Sequence, residues 1–131
     1  MKRDMDLIRN LLFVFESQEK DRLDRSDLAL NGYEKKQIDF HLELMEEGGL
    51  IVHDVFQPKK ADGHAFPIRF DMGRRPTMTG YDFLESVRDS KTWEKTKNGA
   101  MAAGGFTIDL LKDLAKGFIK MQIEERTGVK F

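Results

Sequence analysis

The sequence predicts an α+β fold with the layout of a winged helix-turn-helix, a β-hairpin wing and an additional C-terminal helix. Three observations predict it. Residues 33–47, YEKKQIDFHLELMEE, set Ile38, Leu42 and Met45 at helical spacing, with His41 and Leu44 beside them. Gly48-Gly49 follows, and Gly48 is the expected left-handed stop. The β-branched and aromatic runs LIVHDVF and AFPIRF then bracket QPKKADGH, whose Pro58 and Asp62-Gly63 pair mark a hairpin. A helix that stops on glycine and turns straight into a hairpin strand is how a winged helix-turn-helix sets its third helix against its wing.

Taken in order, the chain opens with a helix capped by Asp4 or Asp6 and running to about Ser17. Its broad apolar arc is Leu7, Ile8, Leu11, Leu12, Val14 and Phe15, and Phe13 falls outside it. SQEKDRLDRSDLAL is a connection that ends in a short strand or single helical turn at Leu28–Leu30, with Asn31-Gly32 as a turn. After the central helix and the hairpin, Pro67 cannot donate to a strand ladder, so the second strand is expected to be an edge or to bulge there. Thr79 is the expected cap of the next helix, whose Tyr81, Leu84 and Val87 share a face. Residues 91–98, KTWEKTKN, form a short helical piece anchored by Trp93, and GAMAAGG lacks the Gly-Lys-Ser/Thr ending of a phosphate loop. Thr107 caps the last helix, whose apolar positions cover about 220° of its circumference. The organisation expected is therefore a winged-helix domain over 1–98, a connection over 99–105, and a C-terminal helix over 106–131.

At 131 residues, with 40% hydrophobic and 34% charged residues, the chain has the size of one domain able to bury a modest core. No apolar run approaches the roughly 20 residues of a membrane span, and no signal peptide opens the chain. It contains no cysteine, which excludes disulfides and thiolate metal sites, so a cytoplasmic protein is expected. The net charge of −1 is unevenly spread. Residues 57–76 carry Lys59, Lys60, Arg69, Arg74 and Arg75 against Asp62 and Asp71, a balance of +3, whereas residues 33–47 carry −3. The wing is basic and the central helix acidic.

If that helix enters a major groove, Lys35, Lys36 and Gln37 near its start reach base edges or phosphate, with Asp39 behind them. The same positions equally describe a solvated first turn. Lys59, Lys60, Arg69, Arg74 and Arg75 are placed to neutralise duplex phosphates, which positions a protein without reading sequence. On the last helix, Leu110, Leu114, Phe118 and Met121 are the candidate surface for a homo-oligomer or another protein, and burial within one domain is the competing account. His53 and His64, with Asp54 and Asp62, lie on opposite hairpin arms without the tight spacing of a metal motif, and no metal or cofactor is assigned. His41 is expected to be a hydrogen-bonded core histidine. No nucleophile triad or paired-carboxylate arrangement stands out, so no enzymatic activity is expected.

The opening MKRDMDLIR, Gly32-Tyr33 with Ile38, His41 and Gly49-Leu50-Ile51, the block Thr79–Leu84, and Trp93 with Lys97 together resemble a family of uncharacterised proteins of bacteria and their phages. Its members begin MKRDMDLIR and carry an LTWEGHDFLD-like segment followed by a tryptophan. The layout is also similar to prophage-borne winged-helix proteins of the YjcQ type. More distantly, Gly49-Leu50-Ile51 and Thr79-Gly80 resemble the paired motif of MarR- and PadR-like repressors, with Glu34 standing where those carry a Ser or Thr cap and Met78 where they carry Leu. The uncharacterised family carries no assigned activity; the winged-helix layout with its basic wing gives weak double-stranded DNA binding and transcriptional regulation as the expectation. The alternative is a protein–protein interaction module built on the same fold.

Overall fold

The computed structural model describes residues 1–128 and contains five α-helices, one 3₁₀ turn and a two-stranded antiparallel hairpin, a mixed α+β architecture. The chain divides into two compact units, Met1–Tyr81 and Asp82–Phe131. In the first, α1 (Met5–Ser17) is capped by Asp4, whose carboxylate accepts the N–H groups of Asp6 and Leu7. Its buried face is Met5, Leu7, Ile8, Leu11, Leu12 and Phe15, close to the arc expected from spacing. Phe13 is half-buried beneath the Arg9 guanidinium, 4.8 Å from the ring centre. A 3₁₀ turn at Arg25–Leu28 follows, drawn into the core by buried Leu23 and Leu28.

The central helix α2 (Lys35–Glu47) buries Ile38, His41, Leu42 and Met45 and packs on α1. Its termination differs in detail from the expectation. Gly48 remains right-handed, and Gly49 takes the left-handed conformation at φ 74°. The N–H of Gly49 then reaches Glu46 O and that of Leu50 reaches Met45 O, which satisfies two terminal carbonyls and folds buried Leu50 back onto the helix end. The second unit uses the same device. Helix α4 (Ser90–Ala102) runs through much of the segment expected as a connection, because Ala100, Met101 and Ala102 are good helix formers. It stops only at Gly104, φ 91°, with Gly104 N–H on Met101 O and Gly105 N–H on Ala100 O.

Strand β1 (Ile51–Phe56) pairs with β2 (Phe70–Pro76), so the second strand begins only at the last residue of AFPIRF, the segment where it was expected. Residues 59–69 instead form an exposed tip, closed by the bridge of Lys59 with Ala65. Pro67 excludes itself from a ladder, and FDMGRRP, with a donor at every position before its final proline, takes the strand. The bulge sits elsewhere too: the register shifts between Asp54 and Val55, opposite Gly73 and Asp71, leaving Met72 as the extra residue. Gly73 has φ 92° and its position lies against the backbone of Leu23, which hydrogen-bonds Arg74 in both directions as a short third rung.

Thr77, rather than Thr79, caps α3 (Met78–Val87): its hydroxyl accepts the Gly80 N–H at 3.0 Å and donates to Gly49 O. A Cβ at Gly80 would stand 2.0 Å from Leu50 O, so the Gly49-Leu50 and Thr77–Gly80 segments meet backbone to backbone. In the second unit α4 packs along α5 (Ile108–Thr127), which Thr107 caps by accepting the Leu110 N–H. Of the C-terminal helix expected over 106–131, residues 129–131 lie outside the described residues. Among the described residues no helix is long and apolar enough to cross a membrane.

Candidate nucleic-acid interface

The strand period decides what the basic hairpin can present. Arg74 and Arg75 are neighbours in β2, so their side chains leave opposite faces of the ribbon. Arg74, opposite His53, turns toward α2 and its Nε lies 2.9 Å from Glu46 Oε1. Glu46 also stands 3.8 Å from His53 Nδ1, and His53 Nε2 is 2.8 Å from Asp71 Oδ1. That carboxylate also accepts the Gly73 N–H across the bulge. The Gly73 amide and then the His53 imidazole hold the Asp71 carboxyl below the usual carboxylate range. Arg74 is thus a strut between the hairpin and the end of α2. It is not an outward-facing cation.

Arg75, opposite Val52, lies on the other face, where its Nε is 3.8 Å from Asp54. Asp54 is hydrogen-bonded by Arg22 at 2.6 Å, and that contact lowers its pKa and raises that of Arg22. Asp54 therefore shares one carboxylate between two guanidinium groups. Lys59, Lys60 and Arg69 are exposed at the tip, and the ammonium of Lys60 lies 5.7 Å from the Phe66 ring centre. The tip is internally braced, with Lys60 N–H on His64 O, Phe66 N–H on Pro58 O and the Gln57 amide on Phe66 O.

At the start of α2, Lys35 and Lys36 are exposed, while Gln37 is half-buried and its side-chain oxygen accepts the Glu34 N–H at 2.9 Å. Gln37 completes its own helix terminus, in the manner of the reciprocal partner of a capping residue. Its side-chain oxygen is therefore occupied. Arg25 lies beside this turn, paired with Asp39 and donating to Lys35 O at 3.1 Å. Two of the acids that give this helix its negative balance, Asp39 and Glu46, are matched by arginines. Lys35 and Glu46 are eleven residues apart on one helix, so the basic first turn and the hairpin strut are separated by about 16 Å.

His41 is 1% exposed and joins two elements. Its Nε2 accepts the Asp4 N–H at 2.7 Å, so its Nδ1 carries the proton donated to Gln37 O, also at 2.7 Å. Both ring nitrogens are therefore committed to structure. His53 and His64 do not converge on a common centre: His64 pairs with Asp62 at 3.1 Å, and His53 with Asp71. No group of three or more candidate metal ligands occurs among the described residues.

On α5 the four residues expected on a partner surface divide between two environments. Leu114 and Phe118 lie over Gly99 of α4, where a Cβ would stand 3.4 and 3.9 Å from them, and Leu110 is half-buried. Met121 is exposed. Ile119 and Ile123 instead line a groove of about 650 Å³ with Ser86, flanked by Asp82 and Glu85 of α3 and by Lys112, Lys116 and Lys120 of α5. The sequence reading missed a second feature. Val55, Phe56, Phe66, Ile68, Phe70 and Met72 are all exposed on the hairpin. In sequence they were legible only as strand formers.

Comparison with known proteins places these residues in a family without an assigned activity. The family model described as "Hypothetical protein (DUF2513)" matches residues 2–106, which include α1, α2, the hairpin, α3 and α4. A protein of Haemophilus influenzae described as "Uncharacterized protein" is 24% identical over 124 residues, covering 94% of this chain and 99% of its own length. No solved structure matches the chain. The chain belongs to the DUF2513 family of hypothetical proteins.

Proposed function

We propose that the first unit is a winged-helix module that binds duplex DNA weakly, with the hairpin as its wing and the start of α2 as its groove-facing turn, in the service of transcriptional regulation. One observation carries this reading: Lys59, Lys60 and Arg69 stand exposed on a braced hairpin tip, while Asp39 and Glu46 of the acidic helix are matched by Arg25 and Arg74. The order of helices before the hairpin, the third rung at Leu23 and the resemblance to prophage-borne winged-helix proteins support the same reading. Phosphate contacts of this kind position a protein on DNA and make affinity depend on salt. Lys35 and Lys36 then supply contacts at the far end of α2, and Arg75 one on the outer hairpin face.

The test is binding of a fluorescent 20-base-pair duplex, about two helical turns, measured by anisotropy across a salt series. Each neutralised phosphate contributes about −0.9 to the slope of log affinity against log salt, so Lys59→Ala/Lys60→Ala/Arg69→Ala reduces its magnitude by about 3. Absence of binding by the wild-type chain at low salt overturns the proposal.

A second reading, an interaction surface on the second unit, is favoured by the groove floored by Ile119 and Ile123 and by exposed Met121. Pairing of two copies through α5 would supply two DNA-binding modules to one site. Sedimentation of wild type against Ile119→Asp/Met121→Asp reads it directly. A wild-type monomer at micromolar concentration removes it.

A further inference from the structure

Phosphate contacts do not account for the apolar surface of the hairpin. Phe56 is 54% exposed, Ile68 57% and Phe70 50%, with Val55, Phe66 and Met72 exposed beside them. Phe56 and Phe70 are direct cross-strand partners, their ring centres 6.2 Å apart and their planes 29° from parallel. They form a two-ring ridge on one face of the ribbon. The tip beyond it is held by backbone and side-chain hydrogen bonds to Pro58, Phe66 and His64, so the ridge is organised before anything binds. Lys59, Lys60 and Arg69 are exposed on the segment that joins the two rings, and that segment, 57–69, carries these three cations against Asp62, with Asp71 following Phe70.

We propose that this ridge is a wedge for duplex DNA: Phe56 and Phe70 enter the minor groove and open a base step, while Lys59, Lys60 and Arg69 hold the flanking phosphates. The inference deepens the DNA-binding reading above and rests on it. An apolar ridge with a basic rim complements the minor groove, where base edges lie between two rows of phosphate. Apolar side chains inserted there unstack a step and kink the duplex by about 20–90°. A phenyl ring is flat and matches the rise of about 3.4 Å per base along each strand, so one ring can follow an opened step. An anionic membrane surface also attracts aromatic and basic side chains. It gives no role to two rings stacked as a narrow ridge.

The experiment uses the full chain and a duplex labelled at both ends for energy transfer, with 2-aminopurine at a central TA step, the most readily kinked type. Wild type should shorten the end-to-end distance and raise the 2-aminopurine emission. Phe56→Ala/Phe70→Ala should lose both signals and keep the salt slope, whereas Lys59→Ala/Lys60→Ala/Arg69→Ala should reduce the magnitude of the slope by about 3. Both phenylalanines are half exposed, and circular dichroism of the double variant checks that its fold is retained. Phe56→Leu/Phe70→Leu, which keeps apolar bulk, should restore part of the bend.

Binding without bending or unstacking overturns the wedge and leaves the DNA-binding reading in place. Bending that survives in the double alanine variant does the same, since other residues then make the kink. No binding at low salt overturns both. Two further arms assign the ridge elsewhere: Phe-dependent cosedimentation with phosphatidylserine vesicles without DNA bending, or a Phe-dependent change in sedimentation mass, each rejects the wedge.

Discussion

Substituting the adjacent arginines of β2 separates structure from binding within one strand. Arg74 is 16% and Glu46 29% exposed at the side chain, with Nε and Oε1 2.9 Å apart, so this is a partly desolvated charge-assisted hydrogen bond. Its loss in Arg74→Ala, which leaves Glu46 with only the longer His53 contact, costs about 2 kcal/mol. For a unit of this size that lowers the melting temperature by about 10 °C. Arg75 is 45% exposed and 3.8 Å from a carboxylate already bound by Arg22, so Arg75→Ala costs at most about 0.5 kcal/mol. DNA binding should show the opposite pattern: Arg75→Ala reduces the magnitude of the salt slope by about 1, and Arg74→Ala leaves the slope where it was. Thermal unfolding and anisotropy on the same samples measure both quantities, and a cycle with Glu46→Ala should return about 1 kcal/mol or more of coupling. A slope reduced by Arg74→Ala at unchanged melting temperature would refute the assignment of Arg74 as a strut.

Other perturbations test other joints. Gly80→Ala places a methyl group 2.0 Å from Leu50 O, and urea unfolding should show a loss of about 3 kcal/mol, the upper end of overpacking costs, with Gly80→Ser no better. His41→Leu fills the same space but strands the Asp4 N–H, while the Gln37 carbonyl keeps its helical bond, costing about 1–3 kcal/mol; amide exchange at Asp4 should accelerate while Gly105 is unchanged. The Asp71 carboxyl is held below its ordinary value of about 3.9 by the Gly73 amide and His53, so the folded form binds its proton less readily than the unfolded one. Its contribution is therefore present above about pH 3.9 and is lost as pH falls through the lowered folded value. Gly73 amide exchange should lose protection in that acid window, and retention of that protection in Asp71→Ala at pH 6 would show that the contact contributes nothing.

The helices were legible because their signals are local. Asp4, Thr107 and the Gly48-Gly49 pair are terminus signals, and the apolar face of α1 follows directly from 3.6-residue periodicity. Local signals also erred by small displacements. Gly48-Gly49 contains two residues able to turn left-handed, and the choice of Gly49 depends on Leu50 folding back to meet Met45, a contact outside any glycine rule. Thr77 and Thr79 compete for one cap, and Thr77 takes it because its hydroxyl also reaches Gly49 O, a residue 28 positions earlier. GAMAAGG looked like a connection from its glycines, but Gly99 is where α4 admits Leu114 and Phe118 of α5.

The candidate site was the least legible part because charge counting discards direction. A balance of +3 over residues 57–76 treats Arg74 and Arg75 as equivalent, yet strand alternation sends one toward Glu46 and the other toward solvent. The sequence could have supplied that distinction had the strand been placed at Phe70–Pro76. The bulge at Asp54–Val55 adds a residue to one strand only, so it changes which side chains share a face beyond it. That shift sets Phe56 across from Phe70 on the outside, and it turns two residues suited to a core strand into exposed rings. The basic tip and the apolar ridge therefore have one structural cause: a proline keeps AFPIR out of the ladder, the pairing moves to FDMGRRP, the displaced segment becomes a long exposed basic tip, and the ridge closes the ladder at its base. Moving that pairing back should remove both surfaces together. Deleting Met72 removes the extra residue of the bulge, and hydrogen exchange at Val55 and Phe56 should then report an altered ladder, with DNA affinity falling even though every basic residue remains. Unchanged affinity with a demonstrably altered ladder would mean that charge alone, independent of the face that carries it, is what the hairpin contributes.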